Sequence, residues 1–415
     1  MVETNWAGNF TYSASAIHEP ETVDDLRRIV ASAAKIRPLG SRHSFNALAD
    51  AAEMVSLAKM DPDIRIDPDA MTVTASGGVK YGHLAIALEE AGYALHNMAS
   101  LPHISVAGAV ATGTHGSGDR SGNLATAVVA VELVTSDGEI VRLAEGDAEF
   151  PGAVVNLGAL GVVNRITLRI EPTYLVRQQV FEDLPWDVAV SHFDEIMASD
   201  DSVSLFTDFG ETINEVWRKH RVVDGEGTAL PEDFMGARAA AKALHPVSRL
   251  SADACTDQLG VPGPWFHRLP HFRMEGTPAS GDDVQAEFMV ARPDAVAALN
   301  AIREIGPELK EAIWISEVRS MTGDDLWLSM AYGQDTIGIH FSFYSDPEAI
   351  DRMLPRIEAA LAPFAPRPHW GKMFCATAEE LAPRYPRLAD FRALAARLDP
   401  RGAFRNEFLD RHVFG

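Results

Sequence analysis

The chain has 415 residues, 47% apolar and 23% charged, enough to bury a sizeable core and to form two or three domains. A net charge of −23 excludes nucleic acid, polyanions and anionic membrane surfaces as partners and leaves a neutral small molecule acceptable. Two cysteines, Cys255 and Cys375, are too few for a disulfide framework, no run approaches a membrane span, and residues 1–5 carry no signal-like stretch, so a cytoplasmic protein is expected.

Along the chain, Thr22-Val23-Asp24-Asp25 opens a helix as a capping box with Asp in place of Glu, and Leu26, Ile29, Val30 and Ala33 mark its buried face. Next comes Pro38-Leu39-Gly40-Ser41-Arg42-His43-Ser44-Phe45-Asn46. Its small residues let backbone N–H groups turn inward around an anion, with one histidine in the middle. Taken alone, the run fits an ordinary tight turn with a solvated histidine better, since short Gly/Ser loops are common. Residues 71–76 alternate as a strand, and 81–90 read as a helix closed by Gly92.

A second loop, 97–118, is dense in Gly, Ala, Ser and Thr and uncharged before Asp119, which lets backbone lie close to a flat ligand. A hairpin over 128–134 and 140–143 and a strand over 165–170 follow. This first section lacks a regular βαβ rhythm and a Gly-x-Gly-x-x-Gly after its first strand, so a dinucleotide-binding Rossmann domain fits poorly.

From about residue 175 the pattern changes. Strands are predicted at 203–209, 285–290, 314–321 and 337–344, and helices at 187–197, 295–305 and 349–361. Residues 222–282, rich in Gly, Pro and charge, read as long connections. Together they predict an α+β domain with a largely antiparallel sheet. Period-two geometry puts Glu317 and Arg319 on one strand face and His340 and Ser342 on another, and Lys372 together with Trp370. Such strands line a wet pocket or, equally well, form a solvated sheet face with an ordinary Glu–Arg cross-link.

Three runs are specific: Gly40-Ser41-Arg42-His43-Ser44-Phe45-Asn46, the stretch from Asn97 to Gly108, and Pro368-His369-Trp370-Gly371-Lys372. In this order they resemble the alditol oxidases (xylitol and sorbitol oxidases), flavoproteins of the vanillyl-alcohol-oxidase type, and the resemblance extends from Asn5 to Phe408. It implies a two-subdomain FAD-binding domain (1–174), a substrate domain (175–375) and a C-terminal segment (376–415) that returns to the FAD domain. It implies oxidation of the C1 alcohol of an alditol such as xylitol, sorbitol or glycerol, with hydride transfer to flavin N5 and dioxygen as acceptor, giving hydrogen peroxide.

The resemblance places the polyol at Ser100, Glu317, Arg319, Ser342 and Lys372. Of these, Glu317, Arg319 and Lys372 would be catalytic, Arg319 and Lys372 lying beside the alcohol oxygen. Ser342 stands where the family often has Thr. FAD contacts are implied for Pro38, Leu39, Gly40, Ser41, Arg42, His43, Ser44, Ser100, Ser105, Gly108, Thr112, Gly113, Thr114, His115, Val163 and His369, with covalent attachment through His43. Arg42 departs from the family's usual Gly; it restricts φ and brings a charge that would help the pyrophosphate. The base that takes the alcohol proton stays open, since Lys372 would need a depressed pKa to serve.

No metal is expected from the spacing of His96, His103 and His115. Cys375 reads as packing, Trp265 and Trp370 as core or pocket wall. A monomer is expected. Two rival readings remain: a sugar-lactone or aldonate flavin dehydrogenase with another electron acceptor, and a non-catalytic carbohydrate-binding protein.

Overall fold

The computed structural model describes residues 3–223, 230–276 and 283–415. Two sheets organise it. The first is five-stranded and antiparallel, ordered Arg65–Asp67, Thr72–Ser76, Val162–Arg169, Val128–Val134, Ile140–Ala144. Beside it lies a small parallel sheet in which Glu53–Val55 sits between Ala16–His18 and Ile36–Pro38. The helix Val23–Ser32 begins where expected, with the Thr22 side chain accepting from the Asp25 N–H and Leu26 and Val30 buried. The helix Tyr81–Glu90 matches its predicted span.

The second sheet is larger. Its centre runs Leu175–Pro185, Thr212–Arg221, Ser202–Thr207, Ile313–Met321, Thr336–Tyr344, Asp283–Ala291, each antiparallel to the next. Helices Ala295–Glu304 and Pro347–Leu361 cover it with buried Leu299, Ile302, Met353 and Ile357. The helix expected over 187–197 is two short helices, Trp186–Ser191 and Phe193–Met197, because His192 leaves helical geometry at φ −119° and ψ 25°. The predicted connections over 222–282 lie partly outside the described residues. The described part holds only short pieces such as Asp233–Phe234 and Ala237–Ala239, which extend the sheet edge.

The C-terminal stretch reaches back to the small parallel sheet. The Ile36 N–H donates to Ala403 O at 2.9 Å, and the buried Arg37 guanidinium donates to Phe404 O, Gly158 O and Leu48 O. Among the described residues no helix is long and apolar enough to cross a membrane.

Candidate active site

The strand Ile36–Pro38 ends in the predicted loop, and the Leu39 N–H still pairs with Val55 O. The chain then reverses at Arg42, which takes the left-handed φ of 65° that favours glycine. The residues after Glu3 clamp this turn. The Trp6 N–H donates to Arg42 O at 2.8 Å, Asn5 Nδ2 to Ser44 O at 3.0 Å and Asn9 Nδ2 to Phe45 O at 2.9 Å. The Arg42 guanidinium, which the resemblance sets beside a pyrophosphate, pairs with the half-exposed Glu3 and also lines the cavity.

Trp6 lies face to face on the His43 ring, centroids 5.2 Å apart and planes 17° off parallel. Burial pushes the His43 pKa down to about 4, so the ring is neutral, and its Nδ1 is buried without a hydrogen-bond partner. The second loop faces it. The Ser105 N–H donates to Ser41 Oγ at 3.0 Å, while Ser105 Oγ is buried and unpartnered. A Cβ on Gly40 or Gly108 would stand 2.6 or 2.7 Å from that oxygen. The two loops thus form a close-walled cradle with an unused nucleophilic nitrogen and an unused hydroxyl, which fits a large flat cofactor carrying phosphates.

Of the residues assigned to cofactor and substrate from the sequence, all but Gly113 line one continuous cavity that runs from this cradle to the large sheet. Gly113 takes a φ of 66° to turn the chain after the helix Val106–Ala111, and its Cα faces Met330.

At the sheet end the register does the positioning. Glu317 and Glu287 stand on either side of His340, and Arg319 lies opposite Gly338, which has no side chain to block it. Arg319 therefore reaches across to Glu287, Nη2 to Oε1 at 2.6 Å, and Lys372 Nζ meets the other carboxylate oxygen at 2.6 Å. His115 Nε2 lies 3.2 Å from Oε1. Glu287 is wholly buried, and burial alone would raise its pKa. The charges of Arg319 and Lys372 overturn that and hold it well below the usual carboxylate range. For Glu317 too, burial raises the pKa, and Arg319 together with the His271 hydrogen bond more than reverses it, so both acids are ionised against two cations.

Ser100 Oγ is 3.5 Å from Arg319 Nη1, which brings the second loop to the same point. Ser342 Oγ donates to Asp283 Oδ2 at 3.2 Å. His340 has neither ring nitrogen partnered, and burial drives its pKa down to about 3.

Residues 369–372 are not a strand, so the expected sharing of a face by Lys372 and Trp370 is corrected. Lys372 points to Glu287, whereas the Trp370 indole donates to Leu328 O and packs on Tyr385. This irregular turn is pinned to the cradle: the Phe45 N–H donates to Gly371 O at 2.8 Å, and Asn46 Nδ2 to Lys372 O at 2.7 Å and Trp370 O at 2.9 Å. Trp265, fully buried, donates to Glu89 and belongs to the core.

Sequence reasoning missed Glu287, the hub of the network, although Asp283, Gln285 and Glu287 alternate on one strand and all three line the cavity. That period-two polar face inside an apolar strand was the available signal. His271, 2.8 Å from Glu317 Oε1, carried none.

Comparison with known proteins adds an independent line. A model described as an FAD binding domain matches residues 14–144, and one described as D-arabinono-1,4-lactone oxidase matches residues 283–412. Alditol oxidase from a Streptomyces species is 49% identical over 98% of this chain and 97% of its own length. L-Gulono-1,4-lactone dehydrogenase from Mycobacterium tuberculosis is 28% identical over 99% of each chain, and L-gulonolactone oxidase from Mus musculus 25% identical over 98% and 97%. The crystal structure of cholesterol oxidase from Brevibacterium sterolicum superposes with a TM-score of 0.79 at 15% identity, over 99% of this chain and 96% of that one, which shows a shared fold.

Proposed function

Because the chain belongs to the alditol oxidase family of FAD-dependent, vanillyl-alcohol-oxidase-type flavoproteins, we propose that it oxidises the terminal C1 alcohol of alditols such as xylitol, sorbitol or glycerol. The observation that carries this reading is the single cavity joining the His43 cradle to the Glu287–Arg319–Lys372 face. Bound FAD would accept the hydride from C1 and pass the electrons to dioxygen, yielding hydrogen peroxide.

The protein's own groups do the rest. A polyol presents hydroxyls that each donate and accept, and Ser100, Glu317 and Ser342 offer acceptors and donors at fixed places. Arg319 and Lys372, held by Glu287, direct positive charge at the alcohol oxygen as it loses its proton. Burial lowers the Lys372 pKa, but the ionised Glu287 that it contacts opposes this and favours the ammonium, which makes Lys372 a poor acceptor. The neutral His340, with both nitrogens open, takes the hydroxyl proton as the C1 hydride leaves and the O–H becomes strongly acidic, because an imidazole with a pKa of about 3 is too weak to ionise the alcohol beforehand. The unpartnered Nδ1 of His43 is the nitrogen that would bond to the flavin, and its neutrality keeps the lone pair available.

Two assays test the reading. Turnover of xylitol in air releases peroxide and aldose, and acid-precipitated protein stays yellow, losing its colour to the supernatant only in the variant His43→Ala. Oxidation of sugar lactones but not alditols, or of alditols without peroxide, would overturn it.

A further inference from the structure

Behind the sheet end of the cavity, Lys219 is 1% exposed and is used by no step above. It sits on the strand Thr212–Arg221, and its Nζ meets three acceptors: Leu269 O, Pro270 O at 3.1 Å and His271 Nδ1 at 3.0 Å. Burial pulls the Lys219 pKa down to about 7, so below neutral pH, where the test is run, it is an ammonium with three protons and no lone pair, and His271 Nδ1 must accept. The single ring proton then sits on Nε2, which faces Glu317 Oε1 at 2.8 Å and donates to it. The edges of Trp217 and Phe206 hold the ring, at centroid distances of 5.1 and 5.6 Å. Burial keeps His271 neutral, pushing its pKa down to about 4. Oε1 of Glu317 is thus taken by the protein, while Oε2 has only the more distant Arg319 Nε at 3.6 Å.

We propose that Lys219 is a positioning residue for substrate recognition: through the tautomer of His271 it fixes Glu317 so that one carboxylate oxygen faces the polyol as an acceptor. The inference rests on the reading of Glu317 as a polyol contact. Without Lys219 the His271 ring is free to place its proton on Nδ1, and a lone pair would then face Glu317 Oε1. The carboxylate would rotate to seek another donor, and the substrate hydroxyl would lose its fixed partner.

The test is a double-mutant cycle on the holoenzyme with xylitol, reading KM and kcat separately. Glu317→Gln and Lys219→Met each raise KM by about tenfold, the loss of one hydrogen bond to a charged group, with a smaller change in kcat. The double variant is no worse than Glu317→Gln, because Lys219 acts only through that carboxylate. Multiplying effects, or an unchanged KM in Lys219→Met beside a raised one in Glu317→Gln, overturn the inference. An unchanged KM in Glu317→Gln overturns the underlying site reading instead. Should Lys219→Met not fold, His271 decides. His271→Gln, whose amide accepts from Lys219 and donates to Glu317, recovers most of the KM loss seen in His271→Leu, and equal losses in the two overturn the inference.

Discussion

The loop around His43 and the sheet face around Glu287 line the same cavity but are made of different materials. The cradle is backbone and small side chains: Gly40, Gly108 and Ser105 shape it by what they leave out, and Asn5, Asn9 and Asn46 pin it through carbonyl oxygens. The sheet face is side chains alone, two carboxylates and two cations brought from residues 287, 317, 319 and 372. A wall made of backbone tolerates a changed side-chain charge. A buried ion cluster does not, since removing one member strands the others out of water.

The largest effect that distinguishes the two regions is expected from Glu287→Gln. Arg319 and Lys372 lose their shared carboxylate, a loss worth roughly 3–5 kcal/mol for a buried pair. Melting temperature and kcat/KM both fall steeply, while the flavin content, set by the cradle, is retained. Equal loss of flavin would erase the distinction drawn between the regions.

A smaller effect comes from pH. His340 has a folded pKa of about 3, below the unfolded value of about 6.5. Above pH 6.5 both states are neutral and nothing is lost. As pH falls below that, the unfolded chain binds the proton first, so stability drops until the folded value is reached. Glu215 and Asp324, raised to about 7 and about 6, act in the opposite sense, so the check is a difference. Between pH 7 and 5 the variant His340→Gln loses about 2 kcal/mol less stability than the parent in denaturant titrations. Parallel losses in the two proteins contradict the buried neutral imidazole.

The smallest effect is expected in the cradle. Arg42→Gly removes the strain of a left-handed non-glycine residue and also the half-exposed pair with Glu3, so stability changes by no more than about 1 kcal/mol. Flavin content stays at the parent level. A loss of flavin in this variant would mean that the guanidinium serves the cofactor after all.

The same contrast explains what the sequence made legible. The cradle's residues are contiguous, so runs 38–46 and 97–118 carry their chemistry locally. Glu317 with Arg319, and His340 with Ser342, were readable because a strand repeats every two residues. Glu287 called for the same alternation, through Asp283, Gln285 and Glu287, but that signal is masked where the strand turns apolar from Phe288 to Val290, and its partners lie far along the chain. Trp370 and Lys372 misled because alternation holds only where backbone is extended, and their turn is fixed instead by Asn46. The strands Leu175–Pro185 and Thr212–Arg221 escaped notice because runs such as Arg177-Gln178-Gln179 and Arg218-Lys219-His220-Arg221 resemble solvated loop.

The most direct test of the central claim is an anaerobic titration of the purified yellow protein with xylitol. The visible absorbance should bleach in the parent, and at least about 100-fold more slowly in Lys372→Met, which keeps its flavin but lacks the ammonium at the alcohol oxygen. Absorbance unchanged under excess alditol, or a Lys372→Met variant that bleaches as fast as the parent, would contradict it.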